Sequence, residues 1–131
     1  MAARIWDFCN RSTKHRVKKL SLKECLRHTL GDFFARRLGR LENTEIEIVG
    51  DLILLRCKEA ISPSEVNLGA LKSGRLLLQE VNERVCRELQ PDLDRVLREI
   101  TGLHLVDICV GLFLERREKI FLFTMADTVK Q

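Results

Sequence analysis

Residues 44–58 read TEIEIVGDLILLRCK, and they decide the fold class. From Thr44 to Val49 the chain alternates, with Ile46 and Ile48 on one side and Glu45 and Glu47 on the other. That is the period-two pattern of a strand with one face in a core. Residues 52–58 are again apolar, and Gly50-Asp51 between the two runs has the chemistry of a tight hairpin turn. Glu45 and Glu47 are left to face solvent or a partner.

On either side of this hairpin the period changes to that of a helix. Upstream, Leu22, Leu26, Leu30, Phe33, Phe34 and Leu38 recur every three to four residues, with Ser21 and Glu24 forming a start signal and Gly39 a stop. Downstream, ISPSEVNLGALKSGR at 61–75 carries three helix-start signals together: Ser62 as N-cap, Pro63 at the first helical position and Glu65 as the reciprocal capping carboxylate. Ser73-Gly74 is expected to break or kink that helix. A second segment then runs through Leu78, Val81, Val85, Leu89, Leu93, Val96 and Ile100, with Pro91 expected to kink or split it and Thr101-Gly102 to end it.

Residues 103–114, LHLVDICVGLFL, are apolar on both faces, as expected of a central strand. Residues 119–125 form another strand after the turn ERRE at 115–118, and residues 126–131 show no core pattern. The order is α-β-β twice, without a residue-level repeat. It predicts an α+β fold: a four-stranded antiparallel sheet with helices packed on one face.

The chain of 131 residues is long enough for one self-sufficient domain. The totals also exclude several roles. Cys9, Cys25, Cys57, Cys86 and Cys109 are odd in number and scattered, with no CxxC pair, which argues against a zinc knuckle and for reduced, mostly buried thiols. His15, His28 and His104 are far apart in sequence. Cys57 has no neighbouring histidine base and is expected to be a buried or edge thiol. Asp107, the one acid in an apolar strand, is expected to face outward, since an unpaired buried carboxylate is costly. No catalytic set converges, so neither an enzyme nor a bound cofactor or metal is expected. No apolar run is long enough to span a membrane.

Charge is distributed unevenly. Residues 1–20 hold Arg4, Arg11, Lys14, Arg16, Lys18 and Lys19 against Asp7 alone, a net of +5, while the whole chain is +4, leaving the body at −1. The division is therefore a basic arm at 1–19 and a near-neutral domain at 20–126. Trp6, Arg11, Lys14, Arg16, Lys18 and Lys19 are candidate arm contacts to a partner, an anionic surface or nucleic acid. Ile5, Trp6 and Phe8 leave open whether the arm is free or docked. In the body, Arg36, Arg37 and Arg40 gather at the end of the first helix, where cations suit the helix dipole and could also meet an anion or partner. Arg75, after Gly74, is the other candidate; its structural alternative is a helix corner with a carboxylate such as Glu80 or Glu83.

The body from about 20 to 125 resembles a small bacterial family labelled MpsC-like, after a Na+-translocating, membrane-potential-generating system. The resemblance is carried by Gly39-Arg40, Gly50-Asp51, Ile61-Ser62-Pro63-Ser64-Glu65, Gly74-Arg75, Arg84, Thr101-Gly102 and Phe121-Leu122-Phe123. Its most specific part is 61–65, similar to the family's Leu-Thr-Pro-Ala-Glu. Where the family reads Gly-Arg-Gly-Pro, this chain has Gly39-Arg40-Leu41-Glu42. The resemblance implies a soluble, cytoplasmic protein with an accessory or regulatory role and no known reaction. A sheet with helices on one face leaves its other face to be covered, so a homodimer is expected, with the second hairpin or the long helix at the interface, alongside an unidentified protein partner.

Overall fold

The computed structural model describes residues 21–39 and 43–131. Its elements are α1 (Leu22–Leu38), β1 (Thr44–Val49), β2 (Leu52–Cys57), α2 (Pro63–Gly69), α3 (Lys72–Thr101), β3 (Leu105–Phe113), a single 3-10 turn (Leu114–Arg116) and β4 (Glu118–Met125). The four strands form one antiparallel sheet in the order β1-β2-β4-β3. The fold is α+β in the expected element order.

Local chemistry fixes the boundaries. The Ser21 hydroxyl accepts the Glu24 N–H at 3.1 Å, and α1 stops at Gly39, whose φ of 93° few other residues adopt. Gly50, at φ 61°, turns β1 into β2 so that Val49 faces Leu52. At α2 the capping box is complete: Glu65 N–H donates to Ser62 Oγ at 3.2 Å, and Ser62 N–H donates to Glu65 Oε1 at 3.0 Å.

Alternation then sorts the sheet into two faces. Ile46, Ile53, Leu55, Cys57, Ile108, Val110, Phe121, Phe123 and Met125 are buried beneath the helices. Phe34 of α1 enters this layer and stacks on Phe121 with ring centroids 4.5 Å apart. From α3 come Cys86, Leu89, Leu93, Leu97 and Ile100. On the opposite face the cross-strand pairs Leu54–Leu122 and Arg56–Ile120 are half-buried.

The structure corrects four expectations about the elements and their ends. The break after α2 falls at Ala70-Leu71, not at Ser73-Gly74; Gly74 lies inside the first turn of α3. A Cβ on Gly74 would sit 1.9 Å from the Leu68 carbonyl oxygen, so Gly74 permits the α2–α3 corner to close; one on Gly69 would sit 2.4 Å from Leu114 Cδ1, so Gly69 lets α2 seat against the 3-10 turn. Pro91 does not split α3, which runs for 30 residues. Pro91 and Arg87, whose carbonyl loses its donor, are both exposed, so the lost bond falls on the solvent side of the helix, where water can replace the donor, while Leu89 and Leu93 stay packed.

The third correction concerns β3, which is an edge strand rather than a central one, with Val106, Asp107 and Cys109 exposed. Its apolar composition is explained by α3 lying along it. Gln79 Nε2 donates to the Val110 carbonyl at 3.0 Å and Gln90 Nε2 to the Val106 carbonyl at 3.4 Å, so the helix satisfies part of the free edge. Finally, the tail does reach the core. Val129 is buried and its N–H donates to the Gly50 carbonyl at 2.9 Å.

Candidate interaction surface

The arginines at the end of α1 and Arg75 are not one cluster. Arg37 bonds Asp92 of α3 at 2.9 Å and stacks over Phe33 at 5.0 Å, which ties α1 to the middle of α3. Arg36 is exposed. Arg75 lies seventeen residues before Asp92 on the same helix, about 25 Å along its axis. Arg40 falls outside the described residues, as do Trp6, Arg11, Lys14, Arg16, Lys18 and Lys19.

Arg75 sits at a helix corner. Its Nε donates to the Gly69 carbonyl at 3.2 Å, so the partner is the end of α2 rather than a side-chain carboxylate; Glu80 pairs with Arg84, and Glu83 accepts from Gln79. Beside it opens a cleft of about 510 Å³, lined by Arg75, Leu112, Phe113, Leu114, Glu115 and Arg116. Arg116 lies 5.1 Å over the Phe113 ring. Neither Phe113 nor Arg116 stands out in the sequence, because the end of β3 and the 3-10 turn that present them have no periodic signature.

The apolar surface around this corner is larger. Leu71 and Leu76 are 64% and 63% exposed, Leu77 51%, Val81 49% and Leu68 41%. Leu77 and Val81 are one turn apart and share a side of α3. Gly74, a turn earlier, is where Leu68 packs, its Cδ1 lying 3.0 Å from where a Cβ would be. Val81 was expected in the core and is not there. The cause is the reach of α1, which begins near Ile100 and ends at Asp92, leaving only the two-turn α2 against the preceding stretch of α3 among the described helices.

The ionisable groups elsewhere serve the fold. On the outer sheet face the Arg56 guanidinium holds both oxygens of Glu118, the shortest contact being Nη2–Oε1 at 2.6 Å, and Lys58 holds Glu45 at 2.8 Å. The hydrogen bonds from Arg56 and Lys58 lower the pKa of Glu118 and Glu45 respectively. Asp94 accepts the Leu105 N–H at 2.8 Å, which lowers its pKa, with His104 Nδ1 at 3.5 Å. Cys25, Cys57 and Cys86 are buried and Cys109 is exposed. Burial pushes the Cys57 thiol up to about 12 and Cys86 to about 11, so neither supplies thiolate near neutrality. Cys9 and His15 fall outside the described residues. Among the described residues no three His, Cys, Asp or Glu side chains gather as a metal site, and no helix is long and apolar enough to cross a membrane.

Fold and surface together define an α+β protein with one antiparallel sheet, helices on one of its faces, and a long helix that exposes leucines. The chain belongs to the MpsC family, whose model, described as Na+-translocating membrane potential-generating system (MpsC), matches residues 18–127. Searches of curated proteins and of solved structures give no match.

Proposed function

We propose that this protein is a non-enzymatic accessory or regulatory protein-interaction module of the MpsC family, acting in the cytoplasm as a homodimer. The observation that carries this is the run of exposed leucines on α2 and the start of α3, since a soluble monomer rarely leaves so many large apolar side chains together in water. The raised pKa values of Cys57 and Cys86 support packing roles for those thiols. The homodimer reading is tested by light scattering at about ten to a hundred micromolar, the range in which micromolar association is populated. A dimer mass is expected; a monomer across that range contradicts it.

A second reading, nucleic-acid binding, rests on the net +5 of residues 1–20. A gel-shift comparison of the full chain with a chain lacking residues 1–19 separates the two. Salt-sensitive retardation that vanishes with the arm favours nucleic acid; no retardation in either chain favours the interaction module.

A further inference from the structure

The geometry points to one particular interface: we propose that two copies pair through the α2–α3 corner, the first three turns of α3 lying antiparallel about a two-fold axis. This deepens the homodimer reading and rests on it. Three observations choose the occupant.

The first is area. At their observed exposures, Leu68, Leu71, Leu76, Leu77 and Val81 present on the order of 500 Å² of apolar surface, the upper end for an unassociated monomer. That is close to the apolar share of an interface burying about 800 Å² per partner. The competing surface is the outer sheet face. There Leu52, Leu54, Ile120 and Leu122 are already half-buried, so covering them removes less apolar area from water.

The second is charge. Lys72 and Arg75 stand at the start of α3, and Glu80, Glu83 and Glu88 follow along it, interleaved with Arg84 and Arg87. In an antiparallel pair the basic start of one helix, Lys72 and Arg75, runs toward Glu80 and Glu83 of the other. A parallel pair sets like against like. A body of net −1 repels a copy of itself only weakly.

The third is support. A homotypic surface must hold its shape before association. The corner is fixed by the complete Ser62–Glu65 capping box, by Arg75 on the Gly69 carbonyl, by the close seating of Gly74 on Leu68 and by that of Gly69 on Leu114 of the 3-10 turn.

The test is sedimentation velocity of the full chain over a concentration series, for wild type, Leu77→Glu/Val81→Glu and Leu54→Glu. Expected are a wild-type dimer, a dimer for Leu54→Glu, and dissociation at least about 100-fold easier for the helix variant, because like charges meet across the two-fold. Helical circular dichroism should be unchanged, since both helix positions are exposed. If that variant loses helical signal, Leu77→Gln replaces it, with a rise in Kd of about tenfold expected and an unchanged Kd overturning the proposal. A helix variant that stays dimeric while Leu54→Glu becomes monomeric places the interface on the sheet: the homodimer reading then stands and this inference falls. A wild-type monomer overturns both. Wild-type monomer that co-sediments with phosphatidylglycerol vesicles, and loses that with Leu77→Glu/Val81→Glu, shows the surface to be a lipid contact and likewise overturns the pairing.

Discussion

The two halves of α3 are built from the same kinds of residue and meet opposite fates. From Cys86 to Ile100 the apolar positions lie against α1 and the sheet, and Leu93 and Leu97 are wholly buried. From Lys72 to Arg84 the helix carries Leu76, Leu77, Leu78 and Val81, nearly as many large apolar side chains, yet Leu76, Leu77 and Val81 stay about half or more in water. Helix propensity does not separate the halves, and neither does composition. What separates them is cover: α1 reaches only as far as Asp92, where Arg37 anchors it. Amphipathic packing is thus a property of what lies beside a helix, and a leucine-rich stretch that lacks a neighbour among the described residues is a candidate for one from outside.

The strongest challenge to this contrast is truncation within the buried half. Leu93→Ala should cost about 2–5 kcal/mol in urea denaturation, because the closed layer around it cannot collapse into the space left. A cost below about 1 kcal/mol would mean that the core is not where we place it. Next is Gly74→Ala. In an open helix this change gains roughly 1 kcal/mol; here the added methyl meets the Leu68 carbonyl, and a loss of about 1–3 kcal/mol is expected instead. A stabilised variant would show the α2–α3 corner to be looser than described.

Ser62→Ala removes one bond of the box that starts α2 and should cost about 0.5–2 kcal/mol, read as a lower melting temperature. The smallest effect is pH-dependent and falls on the carboxylates that brace the outer sheet face and the α3–β3 connection. Glu118, Glu45 and Asp94 all titrate below their ordinary values, 4.5 for the glutamates and 3.8 for the aspartate. Their contribution is full above those values and lost as pH falls through the lowered folded ones. Acid below about pH 4.5 should therefore lower the melting temperature, and less so for Glu118→Gln, which has no carboxylate left to protonate. A wild-type melting temperature that is flat down to about pH 3 would contradict these pairings.

Most of the fold was legible in the sequence because local chemistry carries it. The alternation of TEIEIV, the Gly50 turn and the Ser62–Pro63–Glu65 start each specify one structure with little help from the rest of the chain. The edge position of β3 was not legible: LHLVDICVGLFL has the composition of a central strand, and only tertiary contact shows α3 doing the work of a missing neighbour through Gln79 and Gln90. Nor was the tail, where Val129 is one apolar residue among polar ones. The exposed surface did leave a trace. Leu76-Leu77-Leu78 are consecutive, and at 100° per residue three neighbours cannot all face one core; Leu78 alone of the three is buried. The site arginines were readable as charges, but not their separation along α3, which depends on where α1 stops.

The central claim is that one half of α3 finishes the core while the other waits for a second copy. Hydrogen–deuterium exchange of the wild-type chain at about 1 µM and about 100 µM tests it within a single helix. Amides from Cys86 to Ile100 should be equally protected at both concentrations, whereas those from Lys72 to Arg84 should gain protection at the higher one. Protection in the first half that ignores concentration, or that changes equally along all of α3, would contradict the account.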